Sequence, residues 1–132
     1  MASYNSDSVL LNAPCEEVYG FLSDFRNLQS LMPEQVTNWQ ATESECSFTI
    51  SGLANFSMEL DSKAFCRNIH IVSKGDNPVS YSLDYFFRQK DRQCEVSVQL
   101  DAALSVFLQS VASRPLQNLV NIIAEKLQHT FQ

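Results

Sequence analysis

The chain has 132 residues, 45% of them hydrophobic and 18% charged, with only 3 glycines and 4 prolines. That length suits one domain spanning residues 1–132 with a core of its own, and the composition excludes a disordered or low-complexity chain. A net charge of −6 removes the basic footprint that nucleic acids or anionic membrane surfaces require, so no nucleic-acid partner is expected.

In chain order, residues 3–11 read as a first strand. A helix then starts near Pro14, with Asn12 or Ala13 expected as its cap and Glu16 and Glu17 at the positive end of its dipole. Val18, Phe21, Leu22 and Phe25 recur at helical spacing and form one apolar face. Asp24 restarts the chain as a second short helix with Leu28, Leu31 and Met32 buried, and Pro33 ends it. Residues 36–41, which include Trp39, form a further strand.

From residue 47 the period changes to two. Phe48 and Ile50 alternate with Ser47, Thr49 and Ser51, and Phe56, Met58 and Leu60 alternate with Ser57, Glu59 and Asp61. Residues 68–72 form another strand, whose inward face the pattern leaves ambiguous. Val79, Tyr81, Leu83, Tyr85 and Phe87, then Cys94, Val96, Val98 and Leu100, continue the alternation. About seven half-buried antiparallel strands follow from this pattern, joined as a meander by turns such as Gly52, Gly75-Asp76-Asn77-Pro78 and Lys90-Asp91-Arg92. Leu104 to Val111 is compatible with helix, and Arg114-Pro115 is expected to kink or break it. Leu116, Leu119, Val120, Ile123, Leu127 and Phe131 then define a helix over 115–131, about 25 Å long and able to lie across the whole sheet.

The predicted class is therefore α+β: a curved antiparallel sheet covered by a long C-terminal helix, with two short helices after the first strand. A twisted sheet and a straight helix do not match along their full length, so the space between them either fills with side chains or stays open. Candidate lining residues are Phe48, Phe56, Met58, Tyr81, Tyr85, Cys94 and Val96 from the sheet, with Phe107, Leu119 and Ile123 from the helical side. A space below about 100 Å³ would mean a packed interior, since ligand pockets run to several hundred.

Leu11-Asn12-Ala13-Pro14-Cys15-Glu16-Glu17-Val18-Tyr19-Gly20-Phe21-Leu22-Ser23-Asp24 resembles the opening of the START-like helix-grip superfamily. That group includes polyketide cyclases, the birch pollen allergen and lipid-transfer domains. Asn27-Leu28-Gln29-Ser30-Leu31-Met32-Pro33 is similar to the segment that follows it, and Pro115-Leu116 with its helix fits the grip helix. In element order the resemblance covers nearly the whole chain. It implies binding of a small hydrophobic molecule, lipid-like or polyketide-like. Some members are cyclases or hydrolases. With 132 residues there is little room for large gating loops, which argues against bulky lipids such as sterols.

Catalytic signatures are sparse. There is no G-x-S-x-G elbow and no glycine-rich phosphate loop. A Cys94–His70 pair on neighbouring strands is conceivable, although a small buried Cys and an ordinary strand His are the simpler account. Glu59, Asp61, Asp84, Glu95 and Asp101 alternate with the apolar set and read as a solvated face. Tyr81 and Tyr85 are the best inward polar handles, Arg26 reads as a surface residue and Trp39 as core. No cofactor or metal is expected. The function classes left open are a hydrophobic-ligand binder, a cyclase- or hydratase-type enzyme using the same pocket, and a ligand-free interaction domain. The last would form a homodimer through a sheet edge or the outward Phe86. The N-terminus has no basic-then-apolar leader and no segment approaches a membrane span, so a cytoplasmic protein is expected, with Cys15, Cys46, Cys66 and Cys94 as free thiols.

Overall fold

The computed structural model describes residues 2–52, 54–75 and 79–132. The 76–78 part of the expected Gly75–Pro78 turn lies outside the described residues. The strands are β1 (Ala2–Asn5), β2 (Val9–Leu11), β3 (Val36–Ala41), β4 (Glu45–Ile50), β5 (Ala54–Ala64), β6 (Asn68–Ser73), β7 (Tyr81–Lys90) and β8 (Gln93–Ala102). The helices are α1 (Cys15–Leu22), a 3₁₀ helix over Phe25–Leu31, and α2 (Val106–Thr130). The strands form one antiparallel sheet in the order β1-β8-β7-β6-β5-β4-β3, with β2 also on β8. The α+β helix-grip architecture stands.

The expected single strand over 3–11 is two strands. Tyr4 pairs with Leu100 but Val9 pairs with Val96, so one residue is gained between them. Ser6 covers the interruption: its N–H donates to the Val98 carbonyl (2.8 Å) and its Oγ accepts from the Val98 N–H (2.9 Å). A comparable irregularity in β3 has a consequence for the interior. Thr37 pairs with Thr49 but Gln40 pairs with Ser47, so Asn38 and Trp39 together oppose Phe48. Asn38 takes φ 54°, which Asn tolerates better than most residues, and Trp39 is thereby returned to the inner face beside Phe48.

Pro14 itself is the cap of α1, one or two positions after the expected Asn12 or Ala13. The Asp24 side chain accepts from the Arg26 N–H and starts the 3₁₀ helix. The Arg26 guanidinium bonded to it also holds the Asp24 carboxyl below its ordinary range. Phe25, Leu28 and Leu31 are fully buried beneath the sheet's inner face together with Leu11, Val18 and Leu22.

The expected break at Arg114-Pro115 is absent. Helix α2 runs unbroken through Pro115 for 25 residues, about 37 Å. Proline removes the hydrogen bond to the Val111 carbonyl, but Val111 is exposed and water can satisfy that oxygen. Ser105 caps the helix by accepting from the Leu108 N–H (3.2 Å). Most of the buried residues of α2 lie in its second half, Val120, Ile123, Ala124 and Leu127, with Ala112 alone buried in the first. The helix touches β1, β2, β8 and the 3₁₀ helix. Three bonds pin it there: the Asn12 N–H to the Phe131 carbonyl (2.8 Å), Lys126 Nζ to the Met32 carbonyl (2.7 Å), and Gln117 Nε2 to the Asn5 carbonyl (2.8 Å).

The expectation of four free thiols is corrected: Cys15 and Cys94 form a disulfide, leaving Cys46 and Cys66 free. The register explains the meeting. Leu11 pairs with Cys94, and the chain then turns into α1, whose first residue is Cys15, so the two Cα atoms lie 4.8 Å apart.

Two predictions follow from this framework. Thiol counting on denatured, unreduced protein is expected to give two reactive cysteines, and four after reduction; in the native state Cys66 reacts ahead of the buried Cys46, whose thiol burial pushes up to about 12. Pro115→Ala is expected to raise the unfolding free energy, by up to about 3 kcal/mol, in denaturant titration, because it restores the missing bond without touching the core.

Candidate ligand cavity

The first half of α2 is held on β1 by the Tyr4–Ser113 and Gln117–Asn5 bonds but does not pack on β4 and β5, and an apolar cavity of about 220 Å³ lies beneath it there. Its floor comes from Phe48 and Ile50 on β4, Ala54 and Phe56 on β5, Val79 just before β7 and Tyr81 at its head, and Leu100 and Ala102 at the end of β8. Leu104, Leu108, Ala112, Leu116 and Leu119 form the roof. Alanine at 54, 102 and 112 leaves volume that a larger side chain would occupy. The space exceeds a packing defect and falls short of a drug-sized site. A larger depression of about 500 Å³, between Gln40, Thr42, Glu45 and Lys74, is more open and carries charged side chains, and a groove of about 480 Å³ on the flank of α2 adjoins the cavity through Ile50, Leu116 and Leu119.

One wall is aromatic. Trp39 stacks on Phe48 with centroids 5.3 Å apart, Phe48 on Phe56 at 5.8 Å, and Tyr81 stands edge-on to Phe56 at 6.0 Å. The Tyr81 hydroxyl donates to the Ser57 carbonyl (2.9 Å), and burial raises its pKa. It is the one side-chain polar group among the lining residues described.

Of the residues expected to line the cavity, Phe48, Phe56, Tyr81 and Leu119 do so. Met58, Tyr85, Val96 and Ile123 are instead fully buried in the packed core. The Tyr85 hydroxyl has no hydrogen-bond partner among the described residues, and burial drives its pKa up. Cys94 is tied to Cys15, and Phe107 is 74% exposed, on the outer side of α2.

Leu108 and Ala112 escape a reading of the sequence for a definite reason, and Leu116, which that reading puts on the covering helix, joins them in the lining. They recur every four residues and continue to Leu119, but an expected break at Pro115 cuts that stripe in two. The signal was present once the period is carried through the proline.

The proposed Cys94–His70 pair does not form. Cys94 faces inward in its disulfide, whereas His70 lies on the outer face of β6 with Nδ1 2.8 Å from Asp84 Oδ1. Asp84 corrects the solvated-face expectation: it is only 8% exposed, and Asn68 Nδ2 also donates to it (3.1 Å). Asp61 on that face is exposed, and Glu95 pairs with Lys90 (2.8 Å). No group of three or more His, Cys, Asp or Glu side chains placed to hold a metal occurs among the described residues. Nor is any described helix long and apolar enough to cross a membrane.

No family model and no curated protein sequence matches the chain. Solved structures do resemble it. The protein XoxI from Bacillus cereus superposes with a TM-score of 0.77 at 14% identity, covering 99% of this chain and 96% of that one. A START superfamily protein from Mycobacterium smegmatis gives 0.70 at 14% identity over 98% and 96% of the two chains. The di-domain ARO/CYC protein BexL from the BE-7585A biosynthetic pathway gives 0.67 at 15% identity, covering 98% of this chain and 46% of BexL. At these identities the likeness concerns architecture, and the architecture is the START-like, polyketide-cyclase-type helix-grip fold.

Proposed function

We propose that the chain binds a small hydrophobic molecule in the cavity between the sheet and α2. The observation that carries this reading is a preformed apolar space of about 220 Å³ with aromatic rings on one wall and aliphatic side chains on the roof. Burying apolar surface there supplies about 25 cal/mol per Å², which suffices for a small ligand that pays little to fit a preformed site. The structural likeness to a START protein and an ARO/CYC protein is compatible with this reading.

The alternative of a cyclase- or hydratase-type enzyme needs a group able to move a proton inside the cavity. The Tyr81 hydroxyl is already engaged with the Ser57 carbonyl, and its raised pKa opposes a role as base near neutrality. His70 and the carboxylates Glu59, Asp61, Asp84, Glu95 and Asp101 are not among the lining residues. These features favour a carrier or sensor over a catalyst. The Cys15–Cys94 bond weighs against the expected cytoplasmic location, because a reducing cytosol keeps thiols reduced. A homodimer would draw on the exposed Phe86 (41%) or on the apolar start of α2.

The test is to fill the space. Ala112→Phe is expected to abolish binding of naphthalene and decalin, followed by ¹⁵N–¹H NMR at the indole of Trp39, while the fold is kept or stabilised by up to about 2 kcal/mol. Wild-type protein that binds neither probe, or a variant that binds both unchanged, contradicts the proposal.

A further inference from the structure

Resting on that binding reading, we propose that the cavity is selective for a flat, uncharged aromatic molecule of one or two rings. Size comes first. An apolar cavity of about 150 Å³ holds benzene, so about 220 Å³ has room for a second ring.

Charge comes second. Among the described lining residues there is no charged side chain, and the one hydroxyl, on Tyr81, is spent on the Ser57 carbonyl. An ionised group inside would lose its hydration and gain no partner, which is severely unfavourable. A fatty acid or other amphiphile escapes that cost by leaving its head at the mouth, where a cationic collar would be expected to receive it. Here the segment that carries Leu104 and Leu108 also carries Val106 (85% exposed), Phe107 and Val111. Between Ala102 and Ala124 the sequence holds a single charged residue, Arg114, in a chain of net charge −6. Arg114 lines the groove on the flank of α2 with Pro33, Gln35 and Gly52, and is not among the cavity residues. Among the described residues, then, the cavity lining itself offers a charged head nothing; the Arg114 groove adjoins it, sharing Ile50, Leu116 and Leu119, and a carboxylate-bearing guest tests whether that guanidinium is reached.

Shape comes third. Phe48 and Phe56 lie within 24° of parallel, whereas Tyr81 is turned 78° to Phe56. A flat guest against this wall meets both ring edge and ring face, the two arrangements that the aromatic quadrupole favours. A saturated guest of equal size gains only its buried area.

Three ligands separate these claims: naphthalene, its saturated analogue decalin, and 2-naphthoate. Dissociation constants would be measured on the wild-type chain by NMR titration, read at the single tryptophan, Trp39, which stacks on the lining residue Phe48. Naphthalene is expected to bind at least threefold more tightly than decalin and at least tenfold more tightly than 2-naphthoate. If 2-naphthoate or decalin equals or exceeds naphthalene, the selectivity claim is overturned and the cavity remains a hydrophobic binding site. If none of the three binds, the binding reading falls, and the selectivity claim with it.

Discussion

A straight helix cannot follow a twisted sheet along its whole length, and the interior of this protein is arranged around where that mismatch is placed. The second half of α2 is committed to contact: Val120, Ile123, Ala124 and Leu127 are buried, and the Lys126–Met32 and Asn12–Phe131 bonds hold it against the 3₁₀ helix and β2. The misfit is thereby pushed into the first half, above the β4–β5 side of the sheet. Alanine at 54, 102 and 112 leaves the gap unfilled there. The cavity is thus the remainder of a packing problem solved at one end of the helix.

The two ends of the sheet accordingly differ in kind. Towards α1 and the 3₁₀ helix the interior is closed, with Phe25, Leu28, Leu31 and Tyr85 fully buried and Cys15 covalently joined to Cys94. That cross-link spans 79 residues and on chain-entropy grounds contributes about 4.5 kcal/mol against unfolding. Towards the start of α2 the interior is open and lined by rings. A rigid end beside an open one lets a preformed site survive without the protein being loose as a whole.

Much of this was legible in the sequence. Period-two alternation located most strands, and the helical stripe from Leu116 to Leu127 located the packed half of α2, because burial imposes those periods directly. The site was legible only in part. Alternation tells which face a residue takes but not how far along the strand the helix lifts away, so Met58, Tyr85 and Val96 were indistinguishable from Phe48, Phe56 and Tyr81. Pro115 misled in a second way: its local penalty is real, but the tertiary anchoring of the helix outweighs it. Asp84 and the Cys15–Cys94 bond depend on contacts between residues distant in sequence, His70 with Asp84 and α1 with β8, which periodicity does not encode.

The central claim is that the space under the first half of α2 is empty of protein and apolar. Diffraction from crystals pressurised with xenon, a neutral atom that enters dry apolar cavities, tests it most directly. The account predicts xenon density enclosed by Phe48, Phe56, Tyr81, Leu108 and Leu116. An interior in which α2 has settled onto β4 and β5, with those side chains in mutual contact and no xenon between them, would contradict it.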